Sequence, residues 1–201
     1  MFLFGAANAL ALPEREFSLT ASHWWIGVES MTASAVAAAA RHPRPVFCGR
    51  LSGENPAGGR LVELDRPGEW HDVALNTAIG QGYLLDLMRQ RLPIEHIVLS
   101  LPTMCGNPEA PQPSQPLPLD SLLAQTRDVI EGLIVVVRGA EAVMESGGGG
   151  GLTVLCTEVK GAMTPLERGL RAFVGEFVAA ESERWRARGL SLALVSENSL
   201  S

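Results

Sequence analysis

Five consecutive glycines, Gly147 to Gly151, lead directly into the apolar stretch Leu152-Thr-Val-Leu-Cys-Thr157. Glycines allow a tight turn, and a short apolar run after such a turn predicts a buried strand. The spacing of apolar residues over 164–188 then predicts a long amphipathic helix, and Leu190-Ser-Leu-Ala-Leu-Val195 predicts a second strand. Turn, strand, helix and strand in this order are typical of a parallel α/β sheet.

The same alternation of strand and helix patterns begins near His23. Further strands are predicted at 23–29, 45–49, 60–64 and 95–100, and further helices at 31–41, 70–91 and 119–145. Six strands that alternate with helices predict a Rossmann-like, doubly wound parallel sheet with helices on both faces. We expect residues 1–22 to form an N-terminal arm or an extra element, and residues 23–201 to form a single domain.

Composition narrows the classes of function. The 201 residues carry a net charge of -6, which argues against nucleic acid as a partner because phosphate neutralisation needs a basic patch. No run approaches the roughly 20 apolar residues of a membrane-spanning helix, and the N-terminus lacks the basic leading region of a signal peptide. The three cysteines and four histidines show no metal-ligand spacing. We expect a cytoplasmic protein without a metal site.

From His23 onward the pattern resembles the short-chain dehydrogenase/reductase family. Leu170-Arg-Ala-Phe-Val-Gly-Glu-Phe-Val-Ala-Ala-Glu181, followed by the strand at 190–195, is similar to that family's long interface helix and its next strand. The resemblance implies a Rossmann domain that is truncated at its C-terminus, because the family continues into a substrate loop and a seventh strand.

The resemblance also shows which cofactor positions have changed. The family's glycine-rich turn after the first strand reads Gly27-Val-Glu-Ser-Met-Thr32, which keeps one of three glycines. Glu29 places a carboxylate where the pyrophosphate of the cofactor would sit, and two like charges about 4 Å apart cost roughly 4 kcal/mol at an effective dielectric of 20. Arg50 follows the second strand, and Asp65 falls where the family has an adenine-contacting aspartate. We expect no bound cofactor, with these four residues as remnants.

The catalytic positions of the family are altered as well. Aligning the long helix places Met163 at the tyrosine and Glu167 at the lysine of the family's Tyr-x-x-x-Lys motif, Cys156 near its serine, and Asp128 near its asparagine. Methionine has no titratable proton, and glutamate reverses the charge of lysine. The single tyrosine, Tyr83, lies far upstream. The resemblance therefore implies a protein without the family's catalysis.

The two long predicted helices correspond to those that form a four-helix interface between subunits of the family. They carry apolar residues beyond the number that one contact with the sheet would use: Val129, Leu133, Val136, Val137, Phe173, Val174, Phe177 and Val178. We expect a homo- or hetero-oligomer that pairs through these helices.

The leading hypothesis is a non-catalytic subunit that supports an intact paralogue in a heteromeric dehydrogenase or ketoreductase, with an acyl-CoA or acyl-carrier-protein substrate. One alternative is an NAD(P)-dependent oxidoreductase with an unusual active site, in which Cys156, Asp128 or Glu167 acts. The other is a regulatory module that senses a small ligand in the remnant cleft.

Overall fold

The computed structural model describes residues 21–27, 36–37, 39–42, 44–49, 59–62, 68–101, 119–156 and 164–196. The predicted arm at the N-terminus lies outside these residues except for its last two positions. Glu29, Arg50, Asp65 and Met163 also lie outside them.

Seven strands form one sheet in the described part of the chain. They are β1 (Ser22–Ile26), β2 (Pro45–Gly49), β3 (Gly59–Val62), β4 (Glu69–Val73), β5 (Ile94–Leu101), β6 (Gly151–Cys156) and β7 (Ser191–Ser196). The helices are α1 (Ala78–Gln90), α2 (Leu119–Ser146) and α3 (Pro165–Ala187).

The strand order is β3-β4-β2-β1-β5-β6-β7, and every neighbouring pair is parallel except β3 with β4. Numbered along the chain, the six parallel strands lie in the order 3-2-1-4-5-6, which is the Rossmann order. The predicted parallel sheet of about six strands is therefore confirmed, and strand order reverses between β1 and β5.

The third parallel strand differs from the prediction. Residues 59–62 form an antiparallel edge strand, and β4 takes the place beside β2 that the sequence pattern gave to residues 60–64. Trp70 on β4 stacks on Phe47 of β2 with ring centroids 4.3 Å apart. The predicted helix at 70–91 begins only at Ala78, where Thr77 caps it by accepting a hydrogen bond from the Gly80 N–H. Packing against β2 therefore overrides the helical spacing of residues 70–77.

Two apolar clusters lie on opposite faces of the sheet. The larger one joins the sheet to α1, α2 and α3 and contains Trp24 and Trp185. The smaller one contains Trp25, Phe47 and Trp70, and is packed by residues from the helical stretch at 36–40. Alternation along β1 thus sends its two tryptophans to opposite faces, as a doubly wound sheet requires.

The glycine run forms the turn between α2 and β6. Its Gly149 N–H donates to the Met144 carbonyl at 3.0 Å, which closes the end of the helix. Gly150 has φ +147°, and a Cβ there would lie 2.7 Å from the Ile94 carbonyl oxygen. Only glycine fits this position, because both the backbone angle and the close approach to β5 exclude a side chain.

Candidate functional site

The candidate site lies at the carboxyl-terminal edge of the parallel strands, between β1 and β5, where the strand order reverses. Gly27 follows β1 there with φ +77°, and its N–H donates to the Cys48 carbonyl at 2.8 Å. A Cβ on this glycine would lie 2.2 Å from the Ser100 carbonyl oxygen on β5. Open α/β sheets bind ligands in the crevice at such a reversal. Gly27, the one glycine that remains of the family's glycine-rich turn, therefore allows the carboxyl ends of β1 and β5 to approach each other.

Ser100 supplies a polar group at this edge that the sequence analysis missed. Its side chain is 1% exposed, and its Oγ has no hydrogen-bond partner among the described residues. A buried hydroxyl without a partner costs free energy, so such a group is typical of a site that a ligand completes. The sequence signal was a single serine in the otherwise apolar second half of β5.

The aspartate at the end of the third strand is also reassigned by the topology. The resemblance places Asp65 here, because the sequence pattern predicts the third parallel strand at residues 60–64. That strand is β4, and the aspartate near its carboxyl end is Asp72, which is 2% exposed. Asp72 therefore replaces Asp65 as the candidate residue at this strand end.

Glu167 has a structural partner at the start of α3. Its Oε2 accepts hydrogen bonds from the Thr164 N–H at 2.9 Å and the Thr164 hydroxyl at 3.1 Å. The Glu167 N–H donates back to the Thr164 Oγ1 at 3.3 Å, so the two residues form a capping box. The carboxylate is 3% exposed and lies at the positive end of the helix dipole.

Replacing this carboxylate with the family's lysine tests whether it stabilises the helix. We expect Glu167→Lys to lower the free energy of unfolding by about 1–2 kcal/mol, because it removes the cap and adds a positive charge at a helix N-terminus. Urea denaturation followed by circular dichroism measures the change. Glu176→Lys, at an exposed position in the middle of α3, is the control and should change stability by less than about 0.5 kcal/mol. Equal losses in both variants would contradict the capping role.

The structure places the other two candidate catalytic residues on separate elements. Cys156 is the last residue of β6 and is half-buried. Burial raises the pKa of its thiol, although the charge of Arg171 acts in the opposite direction. The protonated thiol is a poor nucleophile at neutral pH. Asp128 lies on α2, where its Oδ2 accepts a hydrogen bond from the Asn76 side chain at 3.2 Å.

Most of the predicted interface residues belong to the core of the protomer. Six of the eight are at most 9% exposed and lie in the larger apolar cluster: Val129, Leu133, Val136, Val137, Val174 and Val178. The other two, Phe173 and Phe177, stack on each other with centroids 5.9 Å apart. Phe173 is 37% exposed and Phe177 is half-buried, so these two remain at the surface of α3.

Ion pairs also join the two long helices, which the sequence analysis did not predict. Arg138 pairs with Glu181 at 3.1 Å, and Arg188 pairs with Glu145 at 2.6 Å. Arg184 pairs with the buried Glu141. Each of these pairs spans 43 positions along the chain. The constant spacing keeps α2 and α3 parallel and in one register.

At the opposite, amino-terminal edge of the sheet, three histidines lie close together. His23 of β1 is paired in register with His96 of β5, and its ring centroid lies 5.2 Å from that of His42. Burial, together with the charge of His42, lowers the pKa of His23 to about 4. Burial, and then the charges of His23 and His42, lower the pKa of His96 to about 4. Both rings are therefore neutral at pH 7.

These lowered pKa values predict a loss of stability in mild acid. The unfolded histidines take up protons near pH 6.5, whereas the folded ones resist protonation down to about pH 4. The stability that the two neutral histidines contribute to the folded state is fully present above pH 6.5 and is lost as the pH falls toward 4. Between pH 7 and 5 we expect a loss of about 1–2 kcal/mol for each histidine, measured by urea denaturation. His96→Gln should remove roughly half of this loss of unfolding free energy between pH 7 and 5. An unchanged loss in this variant would contradict the lowered pKa of His96.

The described ranges hold neither a metal site nor a membrane-spanning helix. No group of three or more histidine, cysteine, aspartate or glutamate side chains there could hold a metal ion. Nor is any of the helices in those ranges both long and apolar enough to cross a membrane.

Solved structures of other proteins share the fold of this chain. The sequence matches no protein-family model and no curated protein at a significant level. Among solved structures, it is similar to a metagenomic short-chain oxidoreductase in complex with NADP, with a TM-score of 0.61 and 14% identity over 89% of this chain and 82% of the other. The chain has the fold of the short-chain dehydrogenases/reductases.

Two more structures share the short-chain dehydrogenase/reductase fold with it. Gluconate 5-dehydrogenase from Burkholderia cenocepacia, in complex with NADP and tartrate, has a TM-score of 0.60 and 13% identity over 95% of this chain and 73% of its own. L-sorbose reductase from Gluconobacter frateurii, complexed with NADPH and L-sorbose, has a TM-score of 0.55 and 11% identity over 85% and 66%.

The expectation that no cofactor binds is contradicted by these neighbours. Those three structures, which have this same fold, hold NADP or NADPH. The glycines of the turn and the charge of Glu29, which lies outside the described residues, do not reveal the crevice at the reversal of strand order. Gly27 lets the ends of β1 and β5 approach each other there.

Proposed function

We propose that this chain is an NAD(P)-binding subunit with the short-chain dehydrogenase/reductase fold, which does not itself perform the family's tyrosine-dependent proton transfer and which supports an intact paralogue. The observation that carries the proposal is the contrast between two sites. The crevice at the end of β1 keeps its backbone geometry and a buried hydroxyl without a partner. Glu167, which the resemblance aligns with the family's catalytic lysine, is a carboxylate that caps a helix.

The residues at the crevice fit a dinucleotide. Gly27 permits the end of β1 to lie close to β5. Ser100 offers a buried hydroxyl that can form a hydrogen bond with a ligand. Asp72, at the end of the third parallel strand, is the candidate contact for the adenosine half of the cofactor. When bound, NADPH would supply a hydride. Catalysis by this chain alone would also require a proton donor next to the substrate.

The described residues that align with the catalytic positions are unsuited to that proton transfer. Glu167 is engaged by Thr164, and Asp128 accepts a hydrogen bond from Asn76. Burial raises the pKa of the Cys156 thiol, which makes it a poor nucleophile at neutral pH. These contacts support a subunit that binds the dinucleotide while a partner performs the chemistry.

A surface for such a partner is available on the long helices. Phe173 is the exposed member of the stacked pair on α3, and Leu119 and Leu123 are 67% and 51% exposed on the first turns of α2. Scattered single apolar residues are normal on a surface, but an exposed stacked aromatic pair is typical of an interface anchor.

Co-expression with an intact Tyr-x-x-x-Lys short-chain dehydrogenase/reductase from the same genome tests the proposal. We expect the two chains to purify together and the partner's reductase activity to rise in the complex. Phe173→Glu should abolish the association, because it buries a charge in the apolar contact. Ala179→Glu is the control, since this exposed residue lies roughly a third of a turn away around α3.

Two results would contradict the proposal. One is reductase activity of the purified chain alone with NADPH and a carbonyl substrate, which would show that it is an enzyme in its own right. The other is recovery of the chain only as a monomer, with the partner's activity unaffected by its presence.

A further inference from the structure

A cavity of about 670 Å³ opens at the amino-terminal edge of the sheet, opposite the crevice discussed above. It is lined by the glycine run, by Gly189 to Ser191, and by the first residues of β5, β6 and β7. Its volume is in the range of sites that bind small molecules. Neither the proposed dinucleotide nor the proposed partner uses this edge of the sheet.

The charge of the cavity has one sign. Among the described residues that line it, Glu95 is the one charged side chain, and none is a lysine or an arginine. Two helices end at its rim: α2 runs into the glycine run, and α3 is followed by Gly189. The carboxyl ends of helices carry a partial negative charge, which adds to that of the carboxylate.

A bulge in β5 presents this carboxylate. The pairing of β1 with β5 shifts register between Ser22 and His23, which makes Glu95 the extra residue on β5. Its Oε2 is buried 3.5 Å from His23 Nε2 and makes no hydrogen bond to a described residue. Because the pKa of His23 is lowered to about 4, the imidazole does not neutralise the carboxylate at pH 7. The Glu95 side chain is 25% exposed, so its carboxylate is accessible from the cavity, and its charge favours a cationic ligand there.

Two more polar groups meet beside the glycine run. A Cβ on Gly151 would lie 2.4 Å from Ser191 Oγ and 3.0 Å from His96 Nδ1, so the missing side chain leaves a niche between them. His96 Nε2 is paired with the Thr153 hydroxyl at 3.0 Å, which leaves Nδ1 facing the niche. A neutral imidazole and a hydroxyl can both accept hydrogen bonds from an N–H donor.

We propose that this cavity binds a small organic cation, an ammonium or guanidinium group on a short apolar body, through the carboxylate of Glu95, with His96 and Ser191 as hydrogen-bonding partners. Apolar residues such as Ile94, Leu152 and Leu190 also line the cavity and would contact the apolar body. The site is independent of the dinucleotide crevice, so either proposal can fail without the other.

Binding of n-butylammonium chloride to the full chain tests this inference, with n-butanol and sodium butyrate as neutral and anionic probes of the same size. We expect saturable binding of the ammonium by calorimetry, and a rise in Tm of about 3–5 °C at ten times its Kd. Sodium chloride at matched ionic strength is the reference. The alcohol and the carboxylate should give no saturable shift.

Variants locate the site. Glu95→Gln should raise the Kd for n-butylammonium at least 10-fold, while Glu183→Gln, an exposed carboxylate on α3, should leave it unchanged within twofold. Ala193→Leu fills the cavity from an exposed lining position and should also abolish binding, which keeps the test decisive if Glu95→Gln does not fold. Equal stabilisation by the alcohol or the carboxylate, undiminished binding to a folded Glu95→Gln or Ala193→Leu variant, or no saturation by 50 mM would overturn the proposal.

Discussion

Gly27→Ala should lower the free energy of unfolding by about 3 kcal/mol or more and abolish NADPH binding. The new Cβ would lie 2.2 Å from the Ser100 carbonyl oxygen, which is backbone and cannot swing aside. The φ of +77° adds strain that only glycine avoids. The ends of β1 and β5 must therefore separate, and that separation opens the crevice. Urea denaturation and an NADPH titration measure the two effects.

The control for this prediction is a glycine without either constraint. Gly169 lies in α3, and a Cβ there would meet no atom within 4 Å. Gly169→Ala should stabilise the protein by up to about 1 kcal/mol, because alanine has the higher helix propensity. It should leave NADPH binding unchanged. If both substitutions had the same effect on stability, the close approach of β1 to β5 would not be the reason that Gly27 is required.

Trp185→Ala should cost about 3–5 kcal/mol of unfolding free energy. The indole is fully buried in the larger apolar cluster, on the last turns of α3. The Trp185 carbonyl also accepts the Leu190 N–H at 3.0 Å, so this residue lies where the helix turns into β7. Truncation leaves a cavity under the helix that carries the proposed partner surface.

Trp185→Phe separates packing from the polar atom of the indole. The Trp185 Nε1 has no hydrogen-bond partner among the described residues, so its loss should cost little beyond volume. We expect the phenylalanine variant to lose less than half as much stability as the alanine variant, by urea denaturation. A loss as large as that of Trp185→Ala would mean that a specific contact of the indole, and not the space it fills, stabilises α3.

Much of the fold was predictable because the helices and strands of a doubly wound sheet have different spacings of apolar residues along the sequence. Long helices such as α2 and α3 expose one face and bury the other, and buried strands between them read as short apolar runs. The exception was the stretch from Glu69 to Val73, whose apolar spacing continues that of α1. It is a strand because Trp70 stacks on Phe47, and a contact between residues 23 positions apart cannot be read from local spacing.

The candidate site was predictable only in part. Gly27 is visible as the glycine after the first strand, and the Thr164-x-x-Glu167 spacing is that of a capping box. The unpaired hydroxyl of Ser100 is a property of its surroundings, which the sequence does not show. The absence of a cofactor was predicted wrongly for the same reason, because the crevice arises from the order of the strands and not from the count of glycines in one turn.

An NADPH titration of the purified chain, followed by energy transfer from tryptophan to the nicotinamide, tests the central claim most directly. Trp24 and Trp25 lie on β1, the strand that ends at the crevice, so a bound nicotinamide should quench their emission. We expect a saturable signal with a Kd in the micromolar range. A signal that rises linearly with NADPH and never saturates would contradict it.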